Sequence, residues 1–261
     1  MAGNAALAAA HAEWTKVSTV RSTAAALGLT AVLGVVAAAV SGTSMRNALE
    51  NDSGRVAPGF HPVDAGFDLV WYLQLGLVAF GVLVVAGEFR GGTVRASLAA
   101  VPRRGLFYVT KAAVCALVVL PVAALATVAA FLADQAGLGP YGVPVGESFG
   151  EEGVVRGMVL GTVHLTLITL FAVGLATLLR SAAVALGVLY VFLFVVSPAV
   201  GAIPGGEKVT RFLPDKAGVQ ALKVGSEADA ALGPYGGIGV VAAWTALALV
   251  AGWLAFRHRE L

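Results

Sequence analysis

The sequence predicts an all-α integral membrane protein with six transmembrane helices, and three observations lead to this fold class. Of the 261 residues, 58% are hydrophobic and only 12% are charged, with a mean hydropathy of +0.86. Soluble domains differ, because about a quarter of their residues are charged. Six stretches of 18 to 23 residues carry no charge, and each is long enough to cross a hydrocarbon core, which takes roughly 20 helical residues.

The six uncharged stretches are continuously apolar, which is typical of helices, whereas barrel strands alternate in polarity over about ten residues. The longest segment outside them, Pro204 to Pro234, has 31 residues. That is below the roughly 50 residues of a small domain, so residues 1–261 are predicted to form a single transmembrane domain. Spans 1 to 6 are predicted at residues 23–40, 69–86, 112–133, 157–179, 181–203 and 235–256.

The 22 residues before span 1 are predicted to form an amphipathic helix along the membrane surface. Leu7, His11, Trp14, Val17 and Arg21 recur at helical spacing, and the Trp ring favours the headgroup region. A disordered tail is the alternative for this leader. A signal peptide fits less well, because its apolar region typically has 7 to 15 residues and follows a short basic segment.

The basic residues outside the spans predict the orientation, because cytoplasmic loops are enriched in Lys and Arg. One side of the membrane would carry ten cations and three acids, and the other seven cations and twelve acids. Both termini lie on the more basic side, so we expect them in the cytoplasm.

The net charge of +2 is too small for a nucleic-acid-binding surface, and the single cysteine, Cys115, excludes an internal disulfide.

The loop between spans 2 and 3 holds half of the cations of the cytoplasmic side. A Gly-Gly turn precedes Thr93, a suitable N-cap for a short helix from Val94 to Ala100 that Pro102 would end. The preference for positive charge in the cytoplasm explains a basic loop by itself. The order of residues goes further and predicts a compact helix that lies parallel to the membrane, suited to contact with a cytoplasmic partner.

The order of residues in this loop resembles the permease subunits of type 2 ATP-binding-cassette (ABC) exporters. The matching positions are Glu88, Phe89, Arg90, Gly92, Thr93, Val94, Arg95, Ser97, Leu98, Pro102, Arg104 and Lys111, with Arg103 as a further cation. Residues 174–183, at the turn between spans 4 and 5, and residues 212–218, in the last outer loop, also look similar. The resemblance therefore covers the whole chain.

The resemblance implies that this chain forms the transport pathway and has no catalytic residue, cofactor or metal of its own. A separate ABC ATPase subunit would bind ATP and Mg²⁺, in agreement with a sequence that lacks the phosphate-binding pattern GxxxxGK[ST]. The loop from Glu88 to Arg104 would be the coupling helix that contacts the ATPase, and the leader would be the elbow helix. A second permease copy or a paralogue would complete the exporter in the lipid bilayer of the bacterial cytoplasmic membrane. Its cargo would be a drug, a lipid or another amphipathic molecule.

Gln74 and His164 are the polar side chains placed deepest in the predicted spans. Because such groups are costly in a membrane, we expect them along the transport pathway, with a hydrogen bond between helices as the alternative for His164. No carboxylate falls within a predicted span, which argues against an ion-coupled secondary carrier. Such a carrier, or a membrane interaction protein without transport activity, is the alternative function.

The loop from Pro204 to Pro234 is expected to lie partly against the membrane. Its apolar side chains would supply the contact, and its four cations would reach the headgroups. The apolar residues are Val209, Phe212, Leu213, Val219 and Leu222. The family resemblance adds that short re-entrant helices in this loop would close the outer side of the pathway.

Overall fold

The computed structural model describes residues 11–16, 21–51, 54, 56, 59–90, 104–224 and 232–258. The regular elements of this part of the chain are all helical, and six of its helical stretches are long and apolar enough to cross a membrane. These two findings confirm the predicted all-α class and the predicted number of candidate spans.

We number the spans by their helices. Spans 1 to 4 are Arg21–Glu50, Val70–Arg90, Arg104–Leu138 and Val154–Leu179. Span 5 consists of Ala182–Val191, a π-helical segment at Phe192–Val196 and Ser197–Gly201, and span 6 is Gly233–His258. Shorter helices lie at Pro62–Asp68, Glu207–Thr210 and Pro214–Gln220, with 3₁₀ turns at Gly139–Tyr141 and Ser148–Gly150.

Spans 1 and 3 extend well beyond the uncharged stretches that predicted them. Span 1 continues to Glu50, whose carboxylate pairs with Arg46 one turn earlier at 2.8 Å. Span 3 begins at Arg104, whereas its uncharged stretch begins at residue 112. An uncharged stretch marks only the part of a helix inside the hydrocarbon, because charged side chains are tolerated where the helix enters the headgroups.

Span 4 forms the centre of the bundle. It packs against spans 2, 3 and 6, whereas span 1 packs mainly along span 3 and span 5 packs against span 2. The most apolar window of span 4 is 67% buried, against 17% in span 1. Spans 4 and 6 approach so closely that a Cβ at Gly252 would lie 2.5 Å from the carbonyl oxygen of Gly174, and only glycine fits such a contact.

The two ends of the bundle are formed by different parts of the chain. The terminal end contains residues 11–16, 88–90, 104–111, 179–182 and 255–258, which are joined by side-chain contacts. The loop end contains residues 50, 51, 54, 56, 59–64, 139–153 and 201–224. Of the predicted leader, residues 11–16 are described and are helical. The predicted coupling helix falls within residues 91–103, which lie outside the described residues.

Candidate functional site

Four charged side chains meet at the terminal end of the bundle, and we call them the ion cluster. Glu13 and Lys16 come from the N-terminal helical segment, Glu88 from the end of span 2 and Lys111 from the start of span 3. The Lys111 Nζ atom lies 2.5 Å from Glu13 and 3.0 Å from Glu88, and the Lys16 Nζ atom lies 2.7 Å from each carboxylate. These four described side chains, two carboxylates and two ammonium groups, carry no net charge together.

The ion cluster is largely removed from water. The side chains of Glu13 and Lys111 are each 5% exposed, and the ring of Phe107 lies within 5.7 Å of both ammonium groups. Burial acts to raise the pKa of Glu13, but its ion pairs with Lys111 and Lys16 outweigh burial and hold that pKa below its ordinary value. Burial likewise acts to lower the pKa of Lys16, and its bonds to Glu13 and Glu88 raise that pKa overall. The cluster thus fastens the N-terminal segment to spans 2 and 3.

Two arginines join the neighbouring helix ends to span 6. Arg104, the first residue of span 3, donates to the carbonyl oxygen of Arg257 at 3.2 Å. Arg180, which follows span 4, donates to the carbonyl oxygen of Ala255 at 3.4 Å and covers the ring of Phe89. The φ of Arg180 is 57°, in the left-handed region, and this conformation makes the tight turn from span 4 into span 5. Spans 2, 3, 4 and 6 are therefore held together at this end.

The predicted coupling residues divide into three groups by how much of them the structure describes. The side chains of Glu88, Phe89 and Arg104 are described, and all three contact other parts of the bundle. For Arg90 the structure describes only the backbone, which ends span 2. The other predicted residues, Gly92, Thr93, Arg95, Pro102 and Arg103, lie outside the described residues. The described residues thus anchor both ends of the loop in the bundle, a role that the sequence pattern did not indicate.

Gln74 and His164, the predicted pathway residues, are both fully buried. Among the described residues, the amide atoms of Gln74 and both ring nitrogens of His164 have no hydrogen-bond partner. The alternative for His164, a hydrogen bond between helices, is therefore not seen in the described part of the chain. The two residues lie on spans 2 and 4, which pack against each other. On this interface Gly81 of span 2 lies against Thr169 of span 4.

The loop between spans 5 and 6 folds into the bundle, and we call residues 207–224 the inserted segment. The backbone of Gly218 lies against the His164 ring, so closely that a Cβ at this position would be 1.9 Å from Nδ1. The carbonyl oxygen of Phe212 accepts a hydrogen bond of 2.8 Å from the indole of Trp244. Trp244 lies eleven residues into span 6, which is about 16 Å along the helix.

Ion pairs and hydrogen bonds hold the far end of the inserted segment. Lys223 pairs with Asp68 at 3.1 Å, and the backbone N–H of Val224 donates to Asp64 at 2.6 Å. The expected contact of the loop with the membrane stays a prediction for its exposed residues and is wrong for the residues that the bundle buries. Val219 and Leu222 are buried inside the bundle, whereas Val209 and Phe212 are exposed.

The inserted segment brings into the bundle a carboxylate that the sequence reasoning missed. Asp215 is fully buried beside Ser197 of span 5, and among the described residues neither of its oxygens has a hydrogen-bond partner of normal geometry. No regular pattern in the surrounding sequence indicated this burial, because apolar and polar residues are mixed irregularly there. The described interior therefore contains an amide, an imidazole, and a hydroxyl that faces a carboxylate, all without a hydrogen bond of normal geometry. Such groups can bind a polar cargo group, an ion or water.

A scan against models of protein families and a search of curated proteins both found no match to this chain.

Proposed function

We propose that this chain is the permease subunit of an ABC exporter and moves an amphipathic molecule across the membrane, driven by a separate ATPase. The observation that carries the proposal is the ordered pattern from Glu88 to Lys111, together with the way the bundle holds that loop. The loop leaves span 2 at residues bonded to the N-terminal segment and returns at Arg104, which is bonded to the end of span 6. A force applied to the loop would therefore reach three helices at once.

In this proposal the loop is the coupling helix, the N-terminal segment is the elbow helix, and both face the cytoplasm. Movement of the ATPase pair would shift the loop, and the ion cluster and Arg104 would pass the shift to spans 2, 3 and 6. ATP and Mg²⁺ would stay on the ATPase, and a second permease copy or a paralogue would supply the other half of the pathway. The inserted segment would close the far side of that pathway beside Gln74 and His164.

The sharpest test changes the loop without touching the ion cluster. Arg95→Ala removes a cation expected at the ATPase interface, and Gly92→Val restricts the turn before the short helix if that turn needs a positive φ. Both variants should insert and fold normally but lose most of the bound ATPase and of ATP-driven transport. Co-purification of a protein with a GxxxxGK[ST] loop and transport into inverted vesicles measure the two effects.

The matched control is Arg259→Ala, which removes a cation from the same side of the membrane but outside the loop. It should retain the ATPase and the transport activity. Glu88→Ala is a poorer test, because it also breaks the ion cluster. If both loop variants retain the ATPase and transport like wild type, the basic loop is only a topology signal and the exporter proposal is wrong.

A proton-coupled carrier is the second candidate, and Asp215 is the observation that favours it. The sequence argument against a carrier was the absence of a carboxylate inside the spans. The inserted segment now places one in the bundle, on the same short helix as the glycine that touches His164. A carrier would transport in purified vesicles under a pH gradient without ATP or an ATPase, and Asp215→Asn would abolish that transport. An exporter would require MgATP and the ATPase in the same assay.

A further inference from the structure

A cavity of about 360 Å³ lies at the loop end, between the two short helices of the inserted segment. Its volume is within the range of small-ligand sites, roughly 300 to 1,000 Å³. The described residues that line it are polar or charged: Glu207, Thr210, Arg211, Lys216 and Gln220. It is separate from the ion cluster, which lies at the opposite end of the bundle.

The cavity presents two cations, Arg211 and Lys216, for which the described residues show no salt bridge. Both side chains are half-buried, and the Lys216 ammonium lies over the ring of Trp71, 5.7 Å from its centroid. The buried lysines Lys111 and Lys223 behave differently, since each is paired with a carboxylate. Two partly desolvated cations that face one cavity attract an anionic group.

The cavity lies beside the end of span 5. Span 5 has 20 residues, just enough to cross the hydrocarbon core, and ends at Gly201. The cavity wall begins next to that residue, because a Cβ at Gly201 would lie 3.6 Å from the side chain of Thr210. Three apolar side chains near the cavity are exposed, namely Ile203, Val209 and Phe212. Exposed apolar groups beside cations are typical of surfaces that contact lipid headgroups.

We propose that this cavity binds the phosphate group of a phospholipid headgroup, with Arg211 and Lys216 as its charged donors. The planar guanidinium can donate two parallel hydrogen bonds to a phosphate, and the ammonium adds a point charge. Glu207 lines the same cavity and can accept a hydrogen bond from an ammonium group attached to the phosphate. An amine-bearing headgroup such as phosphoethanolamine therefore fits better than a headgroup with no amine. The exposed apolar residues favour a lipid over a soluble phosphate compound, since they would contact its acyl chains.

The site concerns binding alone, so its test uses the purified full-length chain without any ATPase. The chain in detergent is mixed with phosphatidylethanolamine, phosphatidylglycerol or diacylglycerol, and native mass spectrometry measures the retained lipid. Phosphatidylethanolamine should bind most tightly, and diacylglycerol, which has no phosphate, most weakly. The double variant Arg211→Gln/Lys216→Gln should bind both phospholipids about tenfold more weakly or worse, as expected when charge-assisted hydrogen bonds are lost. Glu207→Gln should weaken binding of phosphatidylethanolamine but not of phosphatidylglycerol.

Lys208→Gln is the matched control, because Lys208 lies on the same short helix and is exposed outside the cavity. It should bind like wild type, and equal melting temperatures would show that the variants fold. Equal retention of phosphatidylethanolamine by wild type and the double variant would overturn the proposal, and so would equal binding of diacylglycerol. The last measurement compares the binding of soluble phosphoethanolamine with that of the phospholipid. If it binds as tightly as the phospholipid, the assignment to lipid is wrong.

Discussion

At the scale of single residues, the ion cluster illustrates how a buried charge in a helical bundle depends on its partners. Glu13, Glu88 and Lys111 are nearly free of water, and the free energy lost by desolvating them is regained only while both signs are present. Lys16 is 39% exposed and contributes less, because solvent screens its charge. The stability of the cluster therefore depends most on Lys111, the buried cation between two carboxylates.

Replacing Lys111 with Met should destabilise the protein by about 3 to 5 kcal/mol, since it leaves the buried carboxylates short of one cation. Thermal melting of the purified chain in detergent measures the effect, and Lys208→Met, at an exposed lysine, is the control. The double variant Glu13→Gln/Lys111→Met should recover part of the loss, because it leaves one acid paired with one lysine. A Lys111→Met variant as stable as wild type would contradict the role given to the cluster.

The same cluster predicts how attachment of the N-terminal segment depends on pH. The pKa of Glu13 lies below its ordinary value of 4.5, so its stabilisation is present above that pH and is lost as the pH falls through the lowered pKa. The pKa of Lys16 lies above 10.5, so its stabilisation is present below that pH and is lost as the pH rises through the raised pKa. The protection factors of the amides of residues 11–16, which correct exchange rates for the intrinsic effect of pH, should therefore stay high between these limits and fall outside them. In Lys111→Met they should already be low at neutral pH.

At the scale of elements, the inserted segment fits because its helix has a glycine where it meets span 4. Gly218 allows the backbone to lie against the fully buried ring of His164, and the neighbouring Gly237 of span 6 allows a second close approach to Ala217. The far end of the segment is held by Asp64 and Asp68, from the short helix before span 2. The segment thus joins spans 2, 4 and 6 at the loop end, as the ion cluster and arginines do at the terminal end.

Gly218→Ala should be destabilising by about 1 to 3 kcal/mol, because its Cβ would overlap a buried ring that cannot move away freely. Gly187→Ala is the control, since a Cβ there meets no atom within 4 Å in span 5. Adding His164→Ala to Gly218→Ala should relieve the overlap, and the pair should be more stable than the sum of the single changes. Additive losses in the melting experiment would show that the ring and the segment do not compete for space.

At the scale of the whole molecule, an even number of spans places both termini on one side of the membrane. The sequence assigns that side to the cytoplasm from its excess of Lys and Arg. The structure also shows which positions can report the orientation. Ser148, in the loop after span 3, is fully buried and would be a poor labelling site, whereas the side chain of Glu147 beside it is exposed.

A cysteine at Glu147 should react with an impermeant thiol reagent on intact cells, and a cysteine at His258 should react only after the membrane is opened. Both positions are exposed, so access to the reagent and not burial decides the outcome. The native Cys115 is buried and should give no background signal. Labelling of His258→Cys on intact cells would reverse the orientation and remove the basis for a cytoplasmic coupling loop.

The sequence by itself determined the all-α class and the six candidate spans, because these follow from local composition. A helix in lipid must satisfy its own backbone and present apolar side chains, and both requirements can be read residue by residue. Helix ends were less predictable, as the extra length of spans 1 and 3 shows, because charged residues can continue a helix beyond the hydrocarbon.

Only the tertiary structure decided which charged residues meet. The contacts of Glu88 with Lys16 and of Lys111 with Glu13 join positions 72 and 98 residues apart, and no local pattern encodes that pairing. The burial of Asp215 likewise results from a loop that folds back into the bundle, where Gly218, His164 and Trp244 provide the space and the hydrogen bond. Such contacts depend on how helices distant in sequence pack, and that packing is a property of the whole chain.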